Sequence, residues 1–121
     1  VYVTDREKTL VDAADHPELS GGPLQLAQAL QAAQSSLDWP RLDDYLQRWP
    51  NTGPLKRLGY LVETLSPSLP GREERLARWQ HALSPGIVAL EPGTGIETGR
   101  IVTRWQLRVN VAGPWSVGNK P

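Results

Sequence analysis

Apolar residues along the chain first recur at helical spacing, then switch near residue 86 to the spacing of strands. A first helix is predicted from Thr4 to about Asp15, with Leu10, Val11 and Ala14 on its inner face. Thr4-Asp5-Arg6-Glu7 fits a capping box, with Thr4 as N-cap and Glu7 reaching back three residues later. His16-Pro17 ends it, because a residue before proline avoids helical backbone angles. Gly21 and Gly22 supply backbone freedom before a second helix, about 23–34, with Pro23 in its first turn. Leu26, Leu30 and Ala33 form its inner stripe. Asp38 caps a third helix, about 39–48, in which Leu42, Tyr45, Leu46 and Trp49 share one face, and Pro50 stops it. Asn51 caps a fourth, about 52–65, with a stripe of Leu55, Leu58, Leu61, Val62 and Leu65 and with Lys56, Arg57 and Glu63 outside. Gly59 inside this helix costs ~1 kcal/mol against alanine. A close helix approach or a ligand would account for it, and packing is the preferred reading. A fifth helix, about 71–83, buries Leu76, Trp79 and Leu83.

Beyond Ser84-Pro85-Gly86 the period becomes two. Residues 87–90 read as a buried strand, and 101–111 as a longer one in which Trp105, Leu107, Val109 and Val111 alternate with polar positions. Residues 112–121 read as a loosely held tail. The expected fold is α+β: five helices on a small antiparallel sheet built from 87–90, 101–111 and the β-prone residues 1–3.

Composition narrows the function more than the fold. The chain has 121 residues, enough for one domain. Thirteen basic and thirteen acidic residues cancel, unlike the balance of a strongly basic nucleic-acid-binding domain. The cancellation hides an asymmetry: residues 1–47 carry −5 and residues 48–121 carry +5. The halves either pack on one another or form opposed faces. No cysteine is present, which removes disulfides, thiol nucleophiles and thiolate metal sites. No apolar run is long enough to span a membrane.

Catalytic patterns are missing. There is no G-x-S-x-G, and no phosphate-cradling loop beyond the short Gly93-Thr94-Gly95. His16 and His81 sit near helix ends, where the dipole favours them, without partners at metal-binding spacing. Arg72, Arg75 and Arg78 recur every third residue, a stripe suited to phosphate or, beside Glu73 and Glu74, to a solvated face. No catalytic residue, metal or cofactor is expected.

Three blocks carry a resemblance: 3–12 continuing through 17–22, Arg57-Leu58-Gly59-Tyr60-Leu61, and 105–111. Their order and spacing resemble the C-terminal domain of AbiEi-type antitoxins, the bacterial abortive-infection transcriptional regulators, over residues 1–111. The resemblance implies a cytoplasmic, non-catalytic domain that counteracts a nucleotidyltransferase-like toxin, functionally or by direct contact. It also implies that DNA is bound only through an upstream winged-helix domain, which this chain does not contain. Two alternatives stand beside it: an enzyme modifying the toxin or a nucleotide by phosphoryl transfer, and an interaction module with no toxin partner. The candidate partner contacts are the helix acids Asp5, Asp12 and Asp15 and, from the later blocks, Arg57, Tyr60, Arg108 and Asn110. Thr4, Glu7, Gly21, Gly22 and Gly59 are expected to be structural.

Overall fold

A computed structural model describes residues 5–66, 68–93 and 99–116. Five helices come first: α1 (Arg6–Asp15), α2 (Pro23–Ala33), α3 (Trp39–Arg48), α4 (Gly53–Leu65) and α5 (Arg72–His81). A 3-10 turn, Pro17–Leu19, joins α1 to α2. Three short strands follow, β1 (Val88–Ala89), β2 (Arg100–Val102) and β3 (Leu107–Val109), then a 3-10 turn at Pro114–Ser116. The class is α+β, as the change of period predicts.

The organising element is α4. Every residue from Pro54 to Val62 is buried, with α1, α2, α5, β3 and the last 3-10 turn packed around it. A helix covered on all sides has no polar face. Lys56 and Arg57, expected outside, are therefore inside, and each must find acceptors there.

The sheet differs from the expected antiparallel one in two ways. Residues 101–111 are a hairpin and not one strand: Trp105 N–H bonds Val102 O at 3.1 Å and Gln106 N–H bonds Thr103 O at 3.1 Å. Gln106 adopts a left-handed φ of 51° to complete the turn. The return strand β3 lies between β1 and β2, antiparallel to β2 and parallel to β1, so the sheet is mixed. The period-two reading failed here because Trp105 reaches the core from a turn, the same side that an extended strand would have given it. Residues 1–3, the other expected strand, lie outside the described residues.

The outer edge of β1 is closed by α4. Val88 N–H donates to Gln106 O at 3.1 Å and Leu90 N–H to Arg108 O at 2.9 Å, while Ala89 O faces away and accepts Arg57 Nε at 3.0 Å. Lys56 Nζ donates to Gly86 O at 2.5 Å. Two buried cations thus occupy acceptors that an exposed edge would offer to another chain. The expectation of a loose tail is corrected for its first residues: Trp115 is fully buried, and its indole N–H donates to Val111 O at 2.9 Å.

Candidate functional site

The residues singled out for partner contact do not converge on one surface. α1 is capped by Asp5, one residue later than expected: Asp5 Oδ1 accepts Lys8 N–H at 3.1 Å. Thr4, the expected cap, lies outside the described residues. Glu7 is buried and turns the other way, where its Oε2 accepts Asp38 N–H at 2.8 Å. Asp38 is itself the N-cap of α3, accepting Arg41 N–H at 3.2 Å. Glu7 therefore serves the start of a different helix, a tertiary counterpart of the box its own sequence suggests.

Asp5 is not a free acid. Arg41 Nη2 donates to Asp5 Oδ2 at 2.6 Å, the Tyr45 hydroxyl donates to the same oxygen, and Arg41 Nη2 also reaches Tyr45 Oη at 3.2 Å. Arg41 first, then Tyr45, holds the Asp5 carboxyl well below the usual carboxylate range. The Asp5 carboxylate in turn raises the Tyr45 hydroxyl and the Arg41 guanidinium.

A pH-dependent prediction follows from this direction. Asn is as good an N-cap as Asp, so Asp5→Asn keeps the cap and loses the ion pair. Because the folded pKa is depressed, the stabilisation is present above the unfolded value of about 3.9 and is lost as pH falls towards the folded value. The thermal midpoint of Asp5→Asn should lie below wild type at neutral pH. The gap should close as the buffer is taken below about pH 4. A gap that does not depend on pH would rule out the ion pair as its source.

Asp12 and Asp15 differ in kind. Asp12 is half-exposed and pairs with Lys8 one turn back at 3.0 Å. Asp15 is mostly covered; it accepts Asn51 Nδ2 at 3.3 Å and stands 3.5 Å from His16 Nε2. Arg57 is buried between α1 and β1. Its Nη1 donates to Ala14 O at 2.9 Å and Asp15 O at 3.3 Å, while Nε serves Ala89 O. Burial lowers its pKa, partly offset by Glu18 and Asp15. Tyr60 is also buried; burial raises its hydroxyl, against the pull of Arg100 and Arg104. Asn110 extends the parallel ladder with its side chain, donating to Glu91 O at 2.9 Å and accepting from Glu91 N at 3.0 Å. Arg108 is half-buried, 3.5 Å from Gly99 O. Arg57, Tyr60 and Asn110 thus each have a place in the scaffold, the first two buried and Asn110 part-buried.

Two acids that the sequence reading did not single out organise the basic half. Asp43 on α3 accepts Trp79 Nε1 at 2.8 Å, Arg78 Nη2 at 3.2 Å and Arg75 Nη1, which fastens α5 to α3. Glu63 on α4 takes the Arg104 Nε at 2.9 Å and Trp105 Nε1 at 3.0 Å. The arginine stripe is accordingly engaged within the fold: Arg72 donates to Glu63 O at 2.6 Å, and Arg75 and the half-exposed Arg78 meet Asp43. Asp43 of the acidic half against Arg75 and Arg78 of the basic half is one place where the opposed charges meet. Among the described residues, no cluster of His, Asp or Glu could hold a metal ion, and no helix is long and apolar enough to cross a membrane.

An apolar surface is left open on the helical side of the fold. Between α1 and α2 runs an apolar groove of about 180 Å³ over Leu10, Ala13, Ala33 and Leu37, with Arg6 at its end. It continues into a wider cleft of about 530 Å³ bounded by Asp12, His16, Leu19 and Gln25. Thr9, Ala13 and Ala29 line both, so the two form one channel. Leu19 stands at its mouth, 79% exposed, and Leu24 follows at 47%. The signal in the sequence was an absence: residues 19–37 contain no charged side chain, in a chain that is 21% charged. Roughly four would be expected in 19 residues, and protein interfaces are depleted of charge at their centres.

No family model, no curated protein and no solved structure matches this chain.

Proposed function

We propose that this chain is an antitoxin-type interaction domain of an AbiEi-like bacterial regulator, acting without catalysis of its own against a nucleotidyltransferase-like toxin. The observation that supports this most is that the three sequence blocks carrying the resemblance meet around α4. Arg57 of the second block holds the Ala14 and Asp15 carbonyls, between the two stretches of the first, and Trp105 of the third lies against Gly59 of the second. Blocks far apart in the chain thus specify one packed unit. In this reading the domain works in the cytoplasm, where such a toxin acts, and DNA is contacted by a winged-helix domain upstream and not by this one.

The test is growth rescue. The chain is expressed together with a nucleotidyltransferase-like toxin, and colony formation is the readout. Rescue by wild type is expected. Asp12→Asn should weaken it with helicity unchanged by circular dichroism, because Asp12 alone of the three helix acids is held by nothing beyond a surface pair. A folded chain that gives no rescue would overturn the antitoxin reading. Nucleotide turnover by the purified domain would replace it with the phosphoryl-transfer alternative.

A further inference from the structure

We infer that the corner between α4, β2 and the 103–106 turn is a phosphate-binding site, in which the Tyr60 hydroxyl, Arg100 and Arg104 take a dianionic phosphate group. The inference does not depend on the antitoxin reading. It starts from a donor that has nothing to donate to. Tyr60 is 2% exposed, and its hydroxyl has no hydrogen-bond partner among the described residues. Buried hydroxyls are ordinarily satisfied, so this one calls for a reason. Its surroundings supply it. Burial raises the pKa of the hydroxyl, which keeps its proton in place at neutral pH, while Arg100 and Arg104 pull the other way because both guanidiniums lie close. An arginine carries donors and no acceptor. It can approach the tyrosine oxygen, and it cannot take the tyrosine proton. What the corner lacks is an acceptor, and an anion is one.

Backbone geometry brings the three residues together. Arg104 Nε meets both Glu63 carboxylate oxygens at 2.9 Å, and its Nη2 lies 2.8 Å from Oε1. Glu63 follows Tyr60 by three residues, one turn along the same face of α4. The fork fixes the Arg104 side chain beside Tyr60 and leaves Nη1 without an acceptor among the described residues. Across the β2–β3 ladder Arg100 faces Val109 and Val102 faces Leu107. Side chains alternate along a strand, so Arg100 shares the inward face with Val102, which is buried. Arg100 is nevertheless exposed, and its guanidinium forms no ion pair among the described residues. β2 is an edge strand, so this side chain is free to swing and admit a ligand to the hydroxyl. An inward charge on an edge strand also guards that edge against pairing, a role that needs nothing from Tyr60. Two guanidiniums against the one Glu63 carboxylate leave the corner net positive. Its donors come from a helix, a strand and a turn. Three separate directions suit a tetrahedral group with three free oxygens better than a planar carboxylate with two, and the arginine fork matches phosphate.

Titration of the full chain with inorganic phosphate tests this, at ionic strength held constant with sodium chloride and read from the arginine Nε–H resonances by NMR. Arg100 and Arg104 should shift together and saturate, with a Kd of about 1 mM. Tyr60→Phe should raise that Kd by about tenfold. Its thermal midpoint should stay at or above wild type, because the hydroxyl it removes bonds nothing in the free fold. Arg100→Gln should raise the Kd by about tenfold or more, again with the midpoint unchanged. Arg48→Gln, on α3, should leave the Kd as it is. Phenyl phosphate in a second arm distinguishes the source of the group: tighter binding than inorganic phosphate assigns the site to an esterified phosphate, equal or weaker binding to the free ion. No saturation up to about 20 mM phosphate, well above the expected Kd, would overturn the inference. So would a Kd that Tyr60→Phe leaves unmoved, which would reduce the effect to the charge of two surface arginines. A Tyr60→Phe chain less stable than wild type would overturn it as well, by showing that the hydroxyl already has a partner within the fold.

Discussion

Gly59→Leu is expected to lower the thermal midpoint by about 10 °C or more. A Cβ on Gly59 would stand 2.2 Å from Trp105 Cζ3 and within 2.6 Å of two further carbons of that ring. Trp105 is fully buried, and its indole N–H is held by Glu63, so the ring cannot turn aside without giving up that bond. Forcing extra carbons into a filled core costs ~1–3 kcal/mol, and a branched side chain at this separation belongs at the top of that range. For a domain of this size each kcal/mol moves the midpoint by roughly 4 °C. Gly59→Ala should fall less, because alanine regains ~1 kcal/mol of helix propensity against its own clash. Adding Trp105→Leu to Gly59→Ala should recover part of the loss, a coupling that neither change alone produces. A Gly59→Leu midpoint equal to wild type would show that the ring has room to move. The neighbour is a turn residue and not the helix expected from sequence, yet the close approach itself was the right reason for the glycine.

Arg57→Met should be at least as damaging, with a loss of about 3–5 kcal/mol in denaturant titration. The guanidinium is the donor for carbonyls on two elements at once, Ala14 and Asp15 at the end of α1 and Ala89 on β1. α1 has no basic residue in its own last turn, so Arg57 also supplies the cation that a helix C-terminus favours. Apolar replacement of a buried ion pair is often neutral, because both partners leave together. Here the partners are backbone carbonyls and stay behind, each unpaired acceptor costing ~1–3 kcal/mol. Arg57→Lys should not rescue: a single ammonium cannot span the gap that the planar fork bridges. Retention of full stability in Arg57→Lys would mean that charge and not geometry is what α4 contributes there.

Local signals placed the helices well because local forces place them. Asp38 caps α3, the pair Trp49-Pro50 closes it, and Leu42 and Leu46 are buried as their spacing requires. Gly21 and Gly22 turn the chain into α2 with φ near 90°, which only glycine adopts freely. The first cap was misplaced by one residue, since Thr4 and Asp5 are both good caps and the choice depends on what else each can reach. Asp5 reaches Arg41 and Tyr45, some forty residues away, which no reading of residues 4–7 contains.

Periodicity along one helix reports a single face, and it fixed which residues of α1, α2 and α3 turn inward. It could not report that α4 is enclosed on every side, and so it put Lys56 and Arg57 in water. Composition by itself established that cysteine chemistry is absent and that acidic and basic residues are segregated between the two halves. Which acid meets which base was decided by packing alone, as Asp43 on α3 came to lie under Arg75, Arg78 and Trp79 of α5. The mixed order of the strands and the channel between α1 and α2 were likewise tertiary outcomes. Both depend on which elements lie side by side, and the free energy that selects neighbours comes from burial summed over the whole core, a quantity no short window of sequence contains.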